Sequence, residues 1–109
     1  MDELLIKISE LREMIIKSEL YQKVKVLENK LLDEERALII DFKQKEDAYN
    51  DAIRLGYYND SYLISLQKSK EKLYSTTNYQ NYKNALNEMN DFLSKVSQLI
   101  YQGVIRDLD

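Results

Sequence analysis

A chain of 109 residues is long enough for one hydrophobic core and too short for two independent ones, so a single domain over residues 1–109 is expected. Its 16 basic and 19 acidic side chains leave a net charge of -3, without the clustered Lys and Arg that nucleic-acid phosphates demand, and direct nucleic-acid binding is not expected. Cysteine and histidine do not occur, which excludes disulfides, thiolate metal sites, thiol nucleophiles and imidazole acid or base chemistry.

The chain has two glycines, Gly56 and Gly103, and no proline. With 32% charged and 44% hydrophobic residues, so little punctuation reads as all-helical. The opening Met1-Asp2-Glu3 is acidic and lacks the basic flank of a signal peptide. No apolar run approaches the roughly 20 residues of a membrane span. The expectation is a cytoplasmic protein with no membrane insertion.

In chain order, Leu4, Leu5, Ile8, Leu11 and Ile15 recur at helical spacing opposite Lys7, Glu10, Arg12, Glu13 and Lys17, so an amphipathic helix starts near Asp2. The next apolar set, Tyr21, Val24, Leu27 and Leu31, is out of phase with the first. Ser18 lies between them and is able to accept a backbone N–H, which predicts a kink or short break there. At Asp33, a capping residue followed by Glu34 and Glu35 predicts a new helix whose positive end is matched by negative charge. Its inward face is expected at Ala37, Leu38, Phe42, Tyr49 and Ile53, with Ile39 and Ala52 on the shoulders, and its end at Gly56. After the loop Tyr57 to Ser61, Asp60 or Ser61 is expected to cap a shorter helix through Tyr62, Leu63, Leu66 and Leu73, with Lys68, Lys70, Glu71 and Lys72 facing solvent. Ser75-Thr76-Thr77-Asn78 competes with helical backbone and predicts a turn.

The last element is the longest. From Tyr79 through Tyr82, Leu86, Met89, Leu93, Val96 and Ile100 to Gly103, steps of three and four alternate, the seam of a helix that packs lengthwise on another. Such a helix runs to roughly 38 Å, against a diameter of about 34 Å for a compact domain of this length. An elongated bundle, or a second chain on the seam, resolves the mismatch. A symmetric homodimer sharing Tyr82, Leu86, Met89, Leu93, Val96 and Ile100 is expected. The tail Arg106 to Asp109 is expected to fray. No internal repeat or low-complexity segment is evident.

Candidate chemistry is sparse. Glu34, Glu35, Asp41, Glu46, Asp47 and Asp51 crowd one helix, and Asp47 and Asp51 share a face, but a di-metal bundle site calls for Glu-x-x-His pairs. A solvated acidic face is the better account. Nine tyrosines and no tryptophan form two clusters: Tyr57, Tyr58 and Tyr62 at the loop, and Tyr74, Tyr79 and Tyr82 at the next turn. Tyrosine suits half-buried sites, so the first cluster is a candidate partner surface, against the plainer reading of helix ends packed on the core. The run Lys68, Lys70 and Lys72 reads as an exposed helix face. Nothing resembles a phosphate loop, nucleophile elbow, kinase motif or zincin motif. No catalytic residue, cofactor or metal site is expected.

The chain resembles the YlbF/YmcA family, small helical cytoplasmic proteins of Gram-positive bacteria linked to competence, sporulation and biofilm development. The likeness spans Ile8 to Ile105. It rests on Ile15-x-x-Ser18-x-x-Tyr21, on Asp33-x-Glu35-x-x-Leu38-Ile39-x-x-Phe42, and on Tyr79-x-x-Tyr82 leading into the long amphipathic helix. Two family prolines are replaced, one by Glu34 and one by the pair Thr77-Asn78, where capping does the same geometric work. Some relatives are associated with iron–sulfur clusters, and this chain has no thiolate to hold one. The resemblance implies a non-enzymatic regulator or adaptor, with paralogous regulators and a membrane-anchored endoribonuclease as partners and transcript processing as the process modulated. The alternatives are a structural or chaperone-like helical protein and an RNA-binding factor.

Overall fold

The computed structural model describes residues 2–108, with side chains described for residues 2–103. Five helices follow one another: α1 (Asp2–Ile16), α2 (Glu19–Glu34), α3 (Arg36–Leu55), α4 (Asp60–Tyr74) and α5 (Thr77–Leu108). The fold is all-α, and the last helix is one unbroken run of 32 residues. The tail expected to fray, Arg106 to Asp109, is helical through Leu108, and Asp109 lies outside the described residues. The chain divides into two compact units, one made of the residues up to Val26 together with those from Lys83 onward, the other of Leu27–Tyr82.

The second unit is built on a helical hairpin. α3 packs along α4, and the pairs run antiparallel: Phe42 meets Tyr74 near one end and Tyr49 meets Tyr58 near the other. Gly56 makes the turn. At φ 80 it takes the left-handed conformation, and the N–H groups of Gly56 and Tyr57 return to the carbonyls of Ile53 and Ala52, closing α3 as a Schellman cap. The cap of α4 is Asn59, not the expected Asp60 or Ser61. Its side-chain oxygen accepts the Ser61 N–H at 2.9 Å and also the Ser61 hydroxyl.

The joint between α2 and α3 also differs from the expected start at Asp33. α2 continues through Glu34, its last turn anchored by buried Leu31, and α3 begins at Arg36. Glu35 bridges them at φ -113 and ψ 25 with no side-chain cap. The acidic side chains of the joint serve another purpose: the Asn78 amide donates to Glu34 at 2.7 Å and to Glu35 at 3.1 Å, tying the start of α5 to this joint. The inward face of α3 is rotated from the expected one. Ala52 is fully buried and Leu38, Asp41, Phe42, Ala48 and Tyr49 are half-buried, whereas Ala37 and Ile53 are exposed. A small residue and a carboxylate belong to that face because α4 comes close and offers Ser69, a hydroxyl that hydropathy does not foresee.

In the first unit, Val24 of α2 and Ala85 and Met89 of α5 are buried, and Lys23 pairs with Glu88 across the two helices at 3.6 Å. Both members of that pair are about half exposed, so it adds little. The burial of apolar surface holds the helices together.

The structure overturns the absence of an internal repeat. The α1–α2 and α4–α5 joints match bond for bond. The Ser18 hydroxyl donates to the Ile15 carbonyl at 2.6 Å and accepts the Tyr21 N–H at 3.2 Å. The Thr76 hydroxyl donates to the Leu73 carbonyl at 2.8 Å and accepts the Tyr79 N–H at 3.1 Å. Gln22 donates its amide to the Ile16 carbonyl at 2.9 Å, and Gln80 donates its own to Tyr74 at 2.6 Å. Helix limits correspond too: Asp2 with Asp60, Ile16 with Tyr74, and Glu19 with Thr77. In that register Leu5, Ile6, Glu13, Tyr21, Gln22, Lys25, Asn29 and Asp33 recur as Leu63, Ile64, Glu71, Tyr79, Gln80, Lys83, Asn87 and Asp91. Leu31 and Met89, also matched, are both buried. The α1–α2 pair and the α4–α5 pair are thus two copies of one helix–joint–helix motif, with α3 between them.

Each joint hydroxyl both ends one helix and starts the next. Ser18→Ala and Thr76→Val each lose about 1 kcal/mol of stability, read from the midpoint of urea unfolding at unchanged slope. Gly56→Ala loses about 1 kcal/mol as well, although nothing lies within 4 Å of the added methyl group, because the cost comes from the left-handed backbone.

Candidate interaction surface

The loop tyrosines do not form one cluster. The Tyr57 and Tyr62 rings meet edge to face at 5.8 Å, while Tyr58 turns to Tyr49 of α3 at 5.8 Å and 90°. Desolvation by these neighbours, followed by the charge of Asp60, raises the Tyr58 phenol above its usual range. Tyr57 and Tyr58 are exposed and Tyr62 is half-buried. The structure therefore brings Tyr57 and Tyr62 together and assigns Tyr58 to closing the hairpin.

At the α4–α5 joint, Tyr74 stacks on Tyr79 with centroids 4.1 Å apart and planes 10° from parallel. Lys70 lies over the Tyr74 ring at 5.2 Å. Desolvation, followed by the hydrogen bond with Tyr74, raises the Tyr79 phenol. These rings are joint packing, with their faces already used.

The carboxylates of α3 have partners. Asp47 pairs with Lys43 at 3.3 Å, and Asp51 accepts from Arg54 at 3.0 Å. The hydrogen bond and charge of Asp47, then the charge of Glu46, raise the Lys43 pKa. Asp41 accepts the hydroxyl of Ser69, a buried residue, at 2.6 Å. Among the described residues no group of three or more acidic, His or Cys side chains could hold a metal ion.

Exposed apolar side chains occur in both units, among them Ile40, Ile53, Leu55 and Ile64 of the second, and they are densest in the first. No residue of α1 is buried. Leu4, Leu5 and Ile8, members of the expected apolar face, are each more than 50% exposed, and so are Ile6 and Met14. Leu5, Ile6 and Met14 line a shallow hollow with Ser9, Glu10 and Glu13. On α5, the expected seam grows more exposed toward its far end. Met89 is buried; Tyr82, Leu86, Leu93 and Val96 are half-buried; Ile100 is exposed, beside exposed Leu99 and Tyr101. The hydropathy pattern located this seam but omitted Ala85, whose small side chain is among the most buried of all. An amphipathic pattern marks a face without saying whether this chain covers it, so the exposure of α1 could not be read from spacing.

A small all-α protein whose open apolar side chains are densest on its first helix and at the far end of its last is the class this geometry defines. The chain belongs to the family described as control of competence regulator ComK, YlbF/YmcA, whose model matches residues 4–105. It is similar to a chain in the X-ray crystal structure of Bacillus subtilis RicA in complex with RicF, at 26% sequence identity and a TM-score of 0.84. That match covers 98% of this chain and 97% of the other. No curated protein matches the chain. Among the described residues no helix is long and apolar enough to cross a membrane.

The pairing of Asp41 with Ser69 fixes how α3 meets α4. Ser69→Ala costs about 1 to 2 kcal/mol because Asp41 is left half-buried without its donor, and adding Asp41→Leu recovers most of the loss. A double-mutant cycle in urea measures the difference.

Proposed function

We propose that this chain is a regulatory adaptor that acts by binding other proteins and performs no catalysis of its own. The observation that carries the proposal is the open apolar surface of α1 and of the far end of α5, on a chain whose family includes regulators and whose structural neighbour was crystallised with a partner protein. The partners in this reading are a second copy of the chain and a paralogous regulator, acting on an endoribonuclease and so on the processing of transcripts that govern competence, sporulation or biofilm development. The cytoplasm is where such a complex works. Self-association uses the α5 row Tyr82, Leu86, Met89, Leu93, Val96 and Ile100. Met89 faces this chain's own core, so Leu93, Val96 and Ile100 carry the contact with the second copy. Tyr57, open at the hairpin tip, and half-buried Tyr62 against it, with Tyr58 beside them, form the second contact surface. The net charge of -3 argues against RNA as the direct ligand.

The full chain co-expressed with a family paralogue from the same genome is expected to co-purify with it in a fixed ratio, and alone to sediment as a dimer. Leu93→Asp, which puts a charge into the row, shifts the dimer toward monomer by a factor of ten or more (about 1.4 kcal/mol or above) while circular dichroism keeps its helical signal. A wild-type monomer that captures no paralogue, or one that shifts RNA in a gel at physiological salt, contradicts the proposal.

A further inference from the structure

The two copies of the helix–joint–helix motif differ in what lies on their first helix. α4, with α3 packed along it, has Leu63 and Leu66 half-buried and Ser69 buried. At the matching positions of α1, Leu5 and Ile8 are exposed and Leu11 is half-buried. The same apolar face is kept in both copies, and in α1 it stands open around Leu5 and Ile8 and is half-covered from Leu11 on. We infer that this face of α1 is the docking site for a helix of a partner protein, laid antiparallel on α1 as α3 lies on α4.

The repeat also specifies the chemistry of the occupant. It is an amphipathic helix of α3's kind, with apolar residues at three- and four-residue spacing. It must differ from α3 at one place. Leu11 stands where Ser69 stands, so a carboxylate at the position of Asp41 meets no donor on α1 and its burial is unfavourable. The occupant is apolar there. That requirement rejects the α3 helix of a second copy, whose Asp41 is in any case held by its own Ser69 at 2.6 Å.

This assignment rests on the adaptor reading and adds to it the place of contact and the kind of helix. The test grafts a copy of residues 36–59 carrying Asp41→Leu onto the full chain directly ahead of Asp2, so that the grafted turn enters α1 as Tyr57 to Asn59 enters α4. Hydrogen exchange of the α1 amides is then expected to slow about tenfold in a chain of unchanged oligomeric state. Ile8→Glu in the grafted chain abolishes the gain, and a graft that keeps Asp41 protects about tenfold less. Ile8 is exposed, so the same substitution in the ungrafted chain leaves the fold intact. Unchanged exchange in the grafted chain, a gain that survives Ile8→Glu, or dimerisation of the ungrafted chain that Ile8→Glu dissolves overturns the assignment. The last of these places a second copy on α1. Capture of a paralogue without any gain from the graft removes the site and leaves the adaptor reading standing, and a gain without capture does the reverse.

Discussion

A hydroxyl that donates backward and accepts forward sets the geometry of this chain. At Ser18 and again at Thr76, one oxygen satisfies a carbonyl at the end of one helix and an N–H at the start of the next. Each helix end leaves unpaired backbone groups, and a two-residue joint has little room to hydrate them all. The glutamine four residues on takes a further carbonyl from the preceding helix. With those groups paired, the chain changes direction without glycine or proline, which explains how a sequence so poor in both makes its turns.

Where the joints are alike, the helix between the two copies makes the difference. α3 belongs to neither copy, and it ends by another device, a left-handed glycine followed by a three-residue turn. That turn sends α4 back along α3. The contact is fixed by aromatic pairs toward both ends and by a buried serine bonded to a carboxylate between them. A polar pair in an apolar contact adds less stability than it adds selectivity, because the wrong partner leaves one member unsatisfied. The hairpin is thereby specific to α3 and α4, although α1 has much the same apolar face.

Much of this was legible in the sequence, for physical reasons that differ by element. The long seam of α5 and the break at Ser18 could be read because a phase change in apolar spacing reports directly on backbone direction. The end of α3 was visible because Gly56 has a conformational freedom no other residue shares. The α2–α3 joint was misplaced: Asp33 looks like a cap, yet buried Leu31 holds α2 on through Glu34 and the acids are used by Asn78, a tertiary contact outside local reach. Ser69 and Ala85 were missed because hydropathy scores small and hydroxylated residues as indifferent, while close helix approach selects for them. The repeat escaped notice because its identities are dispersed, and only the joint hydrogen bonds show that Ser18-x-x-Tyr21-Gln22 and Thr76-x-x-Tyr79-Gln80 do the same work. Of the loop tyrosines, the grouping of Tyr57 with Tyr62 follows from their nearness in sequence, whereas the turn of Tyr58 toward Tyr49 depends on the hairpin.

The openness of α1 has an energetic side. A 15-residue helix is near the lower limit for stability in water by itself, and this one buries no residue completely. Its helical state therefore leans on the half-buried Leu11, Ile15 and Ile16 toward its end, and the turn around Leu4, Leu5 and Ile8 is the part most easily opened. The interspersed Lys7, Glu10, Arg12 and Glu13 keep such a surface soluble. A helix covering it removes apolar area from water at roughly 25 cal/mol per Å², and part of that gain goes into ordering α1 itself. Contact and helix stability are then coupled: whatever binds there also firms the α1 end of the first unit, and a partner is registered by the chain as a change in its own order.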